Sequence, residues 1–166
     1  MTEKNIGAEN TRWDLSFIYS GIDDPRIGED IAKLVGMMKE FNAHYKGNLA
    51  EKLAVAIADF SEINMLKNKI SVYLFLKQTL NVADSAVKSK IAETERILSQ
   101  AQGEYLTFFE LELVALNDAV LERLYANHPV VVKHRPWIEH RRVFKPHLLS
   151  EPVESALIKR SSFGPD

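Results

Sequence analysis

Cysteine is absent from the 166 residues. That excludes disulfides, thiol nucleophiles and cysteine-based metal sites outright. Long apolar runs are missing too. Dense ones such as Val72–Leu76 are far too short to span a bilayer, and Met-Thr-Glu-Lys-Asn at the N-terminus has no apolar signal-peptide core. On these absences the chain is expected to be cytoplasmic, with no membrane partner. Charge of one sign is also scarce: the formal net charge is −2, which gives no global pull toward nucleic acid or anionic lipid. Turn formers are rare where a sheet would need them. Between Asn48 and His128 there is one glycine, Gly103, and no proline. Strands need turns every ten residues or so, and turns lean on those two residues. The expected fold is therefore all-α, an antiparallel helical bundle with two long helices and several shorter ones.

What is present is ordinary globular composition, 46% apolar and 27% charged, on a chain long enough to bury a core. Residues 1–12 are polar and read as frayed, and 1–22 as an N-terminal arm that lays Trp13, Phe17 and Tyr19 against a helical domain spanning 23–166. Asp24-Pro25 is a helix start, with Asp as N-cap and Pro at the first helical position. Ile27, Ile31, Leu34, Val35, Met38 and Phe41 mark the first amphipathic helix, which ends near Tyr45 with Gly47 as its left-handed stop. Residues 49–80 keep helical spacing throughout, as one helix or as two divided at Ser61. Asp84 caps the longest expected helix, Asp84–Leu116, with Val87, Ile91, Thr94, Leu98, Ala101, Tyr105 and Phe108 on one face as core against the second helix. Shorter helices follow: one capped by Asn117, one over about Pro136–Phe144, and one that starts after Ser150 and runs to the C-terminus. No period marks a repeat array.

Chemistry is sparse. A zinc-peptidase helix places histidines at i and i+4 around a glutamate. None of His44, His128, His134, His140 and His147 is followed four places on by a second histidine. Glu110 and Glu112 are two apart and face nearly opposite ways on a helix, so they cannot act as a coupled acid–base pair. Glu112 does break the apolar stripe, so one carboxylate is expected to face a wet groove rather than the core. Lys133, Arg135, Arg141, Arg142 and Lys145 form a basic rim with Trp137 and Phe144 interleaved. That rim is too local for nucleic-acid binding and suits pairing with carboxylates elsewhere in a larger protein. Phosphate loops and nucleophile elbows are absent.

Four motifs occur in order: Trp13-Asp14-Leu15-Ser16 with Tyr19 and Gly21; Tyr45-Lys46-Gly47-x-Leu49; Phe108-Phe109-Glu110-Leu111-Glu112-Leu113; and Lys145-Pro146-His147-x-Leu149-Ser150-Glu151. From Trp13 to Arg160 the chain resembles the N-terminal part of oligoendopeptidase F and its relatives among the M3 zinc metallopeptidases. The resemblance implies a helical lobe facing a zinc-bearing catalytic lobe across a deep channel that admits short, unstructured peptides. It also implies zinc held by His-Glu-x-x-His and a further Glu, all of which would lie beyond Asp166. The partners implied are that zinc lobe and an oligopeptide substrate. No catalytic, cofactor-binding or metal-ligating residue carries over, so this chain alone is expected to be inactive and metal-free. Glu110, Glu112, Arg141 and His147 are the candidate lobe-interface or channel-facing residues. Pro152 departs from the acidic character of relatives there and suits a first helical turn. The ending Ser162–Asp166 reads as an interruption of a helix without a designed finish. Two other readings stand beside this one: a stand-alone helical interaction module derived from such a lobe, and a homodimer through the exposed lobe face.

Overall fold

The computed structural model describes residues 14–161, so the expectations for residues 1–12 and Trp13 lie outside the described residues. Among these the chain is helical, without strands. The elements are α1 (Pro25–Tyr45), α2 (Leu49–Leu80), α3 (Ser85–Tyr105), α4 (Thr107–Ala115), α5 (Asp118–Asn127), α6 (Pro129–Lys133), α7 (Arg135–Val143), a 3₁₀ turn (Lys145–His147) and α8 (Glu151–Arg160).

The helix starts follow the capping rules. Asp24 accepts from the Arg26 N–H at 2.9 Å, Asp84 from Ala86 and Val87, and Asn117 from Val120 at 2.8 Å. Gly47, at φ +79°, turns the chain between α1 and α2. Ser150 departs from expectation. Its side chain does not cap α8; Glu154 reaches back instead and accepts from the Leu149 N–H at 2.8 Å. Pro152 sits in the first turn of that helix, where its missing N–H costs nothing. Pro129 opens a helix, α6, that the sequence pattern did not announce.

The longest element is α2, unbroken over 32 residues, about 48 Å at 1.5 Å per residue. Ser61 does not restart a helix there: its hydroxyl donates back to the Ile57 carbonyl at 2.7 Å. The expected Asp84–Leu116 helix, by contrast, is broken at Leu106 into α3 and α4. The cause lies in where the local carbonyls go. Gly103 O accepts the Thr107 hydroxyl at 2.8 Å and the Ser155 hydroxyl at 2.5 Å, and Tyr105 O accepts from the Asn42 amide at 3.0 Å. Hydroxyls bond back to i−4 without a break at Ser61 and Thr94 too; what is particular here is the second hydroxyl, from α8, and the Asn42 amide on the nearby Tyr105 carbonyl.

The core joins the inner faces of α1, α2 and α3 to those of α4–α7, with Leu34, Met38, Leu53, Ile70, Tyr73, Leu113, Val131 and Ile138 fully buried. The α3 stripe packs on α1 and α8 as well as on α2, which corrects the expectation of α2 alone. In the segment before α1, the Ile18 and Tyr19 N–H groups both donate to Leu15 O, forming one helical turn. That turn puts Leu15 and Tyr19 on one side, buried, and Phe17 on the other, 80% exposed. Phe17 therefore does not pack on the helices as expected. Tyr19 donates to Asp30 Oδ2 at 2.6 Å and stands edge-on to Tyr73. Tyr45 donates to Asp59 Oδ2 at 2.5 Å, and burial, then that carboxylate, push its hydroxyl up to about 12.

Candidate functional site

An aromatic knot forms the floor of the main groove. Phe60 of α2, Phe109 of α4 and Trp137 of α7 stack in sequence, with centroids 4.6 Å apart for Phe60–Phe109 and 6.3 Å for Phe109–Trp137. Phe41 of α1 supports Phe109 edge-on at 5.2 Å from below. Above this floor lies a groove of about 410 Å³ where α2, α3, α4, α7 and α8 meet, within the usual range for ligand clefts. Leu106, Leu113, Leu148 and Ile158 add apolar wall, and Asn64, Gln102, Glu110, Arg141 and Glu154 supply the polar positions. A shallower depression of about 270 Å³ shares Phe60, Asn64 and Trp137 and runs toward Met65, Asn68 and His134.

The structure separates the four candidate residues. Glu110 and Arg141 are brought together across the groove at 3.3 Å, both about two-fifths exposed. A pair so exposed contributes little to stability and is free to exchange partners. Glu112 turns away from the groove. Its Oε1 accepts the Gly47 N–H at 2.8 Å, fastening α4 to the α1–α2 turn, and Lys46 beside it reaches Glu151 at 2.5 Å. Glu110 thus lines the groove and Glu112 does not. His147 is exposed in the 3₁₀ turn and does not line the groove.

Sequence reasoning missed the residues that matter most to the groove's shape. Arg142 rather than Arg141 locks α7. Its guanidinium donates to the carbonyls of Val114 (3.2 Å) and Leu116 and to Asp118 Oδ1 (2.5 Å), satisfying the free C-terminal carbonyls of α4. Arg135 pairs with Glu139 at 2.6 Å and lies over the Tyr125 ring at 4.6 Å. The arginines of the basic rim thus find carboxylates inside this chain, not only elsewhere in a larger protein. Phe60 and Glu154 carried no motif signal; their role comes from helix crossings that no local spacing encodes.

The groove can seat apolar side chains and offer a carboxylate and a guanidinium to a polar backbone at its rim. It presents no nucleophile hydrogen-bonded to a base. Among the described residues no group of three or more His, Asp or Glu side chains could hold a metal ion, and no helix is long and apolar enough to cross a membrane.

Fold and groove together define an all-α domain with an open, aromatic-floored trough. Residues 112–165 match the family model for oligopeptidase F, the N-terminal domain model of the M3 peptidases, and that match supports an N-terminal lobe of an M3-family peptidase. It takes in the end of α4 and all of α5–α8. Searches of curated proteins and of solved structures gave no significant match.

Proposed function

We propose that this chain is the substrate-channel lobe of an oligoendopeptidase F-like zinc metalloendopeptidase that hydrolyses short peptides in the cytoplasm. The observation that supports this most is the family match, because the matched elements include α7 and α8, two walls of the groove. In this reading the groove faces a catalytic zinc lobe of the same protein, and its walls position an oligopeptide and limit its bulk. Phe60 and Trp137 receive apolar side chains, and the exchangeable Glu110–Arg141 pair meets the peptide's polar groups. Among the described residues no group of side chains fits a zinc site, and in this reading they carry no step of hydrolysis. A zinc ion held by the other lobe would supply the activated water.

The test is the chain by itself. It should retain no stoichiometric zinc after dialysis against trace metal, and it should leave a quenched-fluorescence oligopeptide uncut. Stoichiometric zinc together with hydrolysis would overturn the proposal. One observation favours the second reading, a stand-alone interaction module: Arg135, Arg141 and Arg142 are all partnered within the chain. With that internal pairing, carboxylates of another lobe are not required as partners for these arginines.

A further inference from the structure

The charges and rings around the groove favour one kind of guest. Three walls each set an apolar and a polar side chain one helical turn apart: Phe60 and Asn64 on α2, Trp137 and Arg141 on α7, Ile158 and Glu154 on α8. Residues four apart share a helix face, so each wall offers both characters to the same guest. From α4 comes Glu110. The charged lining is therefore two carboxylates, Glu110 and Glu154, against one guanidinium, Arg141. Arg141 already meets Glu110 at 3.3 Å. Glu154 accepts the Leu149 N–H through Oε1, and among the described residues no cationic side chain pairs with it. A negative charge is thus left without a counter-charge. The basic rim does not cancel it: Lys133, Arg135, Arg142 and Lys145 stand outside the groove lining, and Arg135 and Arg142 hold Glu139 and Asp118. The adjoining depression adds Asn68 and His134 but no lysine or arginine.

The rings point the same way. An aromatic face is negative, so it attracts an ammonium or guanidinium and repels a carboxylate. Phe60 and Trp137 are half-buried and line both the groove and the depression. The domain already makes such contacts elsewhere, with Arg135 over the Tyr125 ring at 4.6 Å and Lys69 over the Tyr19 ring at 4.7 Å.

We infer that the groove selects peptides that place an arginine or lysine side chain in it, the aliphatic stem along Phe60 and Trp137 and the charged head reaching Glu110 and Glu154. An apolar stem with a charged tip matches the paired character of the walls. The incoming head takes the place of Arg141 on Glu110, and that pair is open enough to water to part at little cost. A carboxylate guest would gain Arg141 but would meet two glutamates and the negative ring faces. The inference rests on the reading of the groove as a peptide channel and adds which peptides it takes.

Isothermal titration of the full chain with three capped tetrapeptides tests it: Ala-Phe-X-Ala, with X as arginine, glutamine or glutamate. The arginine peptide should bind about fivefold tighter than the glutamine one, and the glutamate peptide should bind weakest. Glu110→Gln and Glu154→Gln keep side-chain shape, and glutamine at 154 still offers an oxygen to the Leu149 N–H. Each should cut the preference for arginine about threefold. Arg141→Gln should do the opposite, tightening the arginine peptide about threefold by freeing Glu110. An arginine with a merely structural role would not raise affinity on removal. Fluorescence locates the binding: Trp13→Phe leaves Trp137 as the only tryptophan, and its emission should shift with the same midpoint. Equal binding of the arginine and glutamine peptides, tightest binding of the glutamate peptide, or weaker arginine binding in Arg141→Gln would overturn the inference and leave a peptide channel in place. Silence from all three peptides up to ~5 mM overturns it together with the peptide's place in the groove. The peptidase reading fails by a different readout, zinc retention with hydrolysis by the chain alone.

Discussion

Phe109→Ala is expected to destabilise the domain by about 3–5 kcal/mol, a large share of the ~5–15 kcal/mol that holds a typical domain folded. Phe109 is 2% exposed and touches the rings of Phe41, Phe60 and Trp137, which come from three different helices. Its removal opens a void that those rings cannot close, because each is fixed by its own helix. The loss combines transfer of the ring to water with the cavity left behind. Urea titration followed by circular dichroism reads it as a lowered midpoint at unchanged slope. Phe75→Ala is the matched control, since that ring is exposed, and it should stay within about 0.5 kcal/mol. A loss below about 1.5 kcal/mol for Phe109→Ala would show that the groove floor is not the packed centre described above.

Gly103→Leu should destabilise by the opposite route. α8 crosses α3 at Gly103, and even a Cβ there would stand 2.6 Å from Lys159 Cγ and 2.7 Å from the Ser155 backbone oxygen. The lysine stem can swing aside; the backbone of α8 cannot, unless the helix moves. A leucine must therefore lift α8 and break the Ser155–Gly103 and Gln100–Lys159 hydrogen bonds. None of its side chains is fully buried, so the close crossing with α3 is its main hold on the rest of the domain. Overpacking of this kind costs about 1–3 kcal/mol, with the upper end expected where backbone must shift. Hydrogen exchange should show the amides of residues 153–160 losing protection while those of α1 keep theirs. Gly36→Ala supplies the contrast: it lies mid-helix with open space around it, so alanine there should stabilise by about 0.5–1 kcal/mol. If Gly103→Leu is as benign as Gly36→Ala, the close crossing is wrong.

The part of the fold that sequence reveals is the part set by neighbours in sequence. Asp24, Asp84 and Asn117 announce helix starts because a short polar side chain meets orphan N–H groups two or three residues away. Gly47 announces a stop because only glycine adopts its φ without strain. The apolar period of α1 is clear for the same reason. The break at Leu106 was hidden because its cause is tertiary: the Ser155 hydroxyl and the Asn42 amide arrive from distant helices to claim the carbonyls of Gly103 and Tyr105. Ser61 misled in the opposite direction, since a serine that can cap a helix can equally bond back into one. Glu110 and Glu112 show the limit for sites. Their divergence follows from helix geometry, but which of them faces the groove depended on where the Lys46-Gly47 turn lies, and sequence spacing does not carry that. The oligopeptidase F resemblance was legible in short motifs, of which Lys145–Glu151 and the end of Phe108–Leu113 lie inside the matched residues 112–165.

The central claim is that this domain serves a zinc peptidase whose chemistry lies outside the residues described here. The coding sequence that follows the codon for Asp166 tests it most directly. The account predicts an open frame continuing into a His-Glu-x-x-His helix with a further glutamate downstream. A stop codon directly after Asp166, with no peptidase frame adjoining, would contradict it and leave the interaction module in its place.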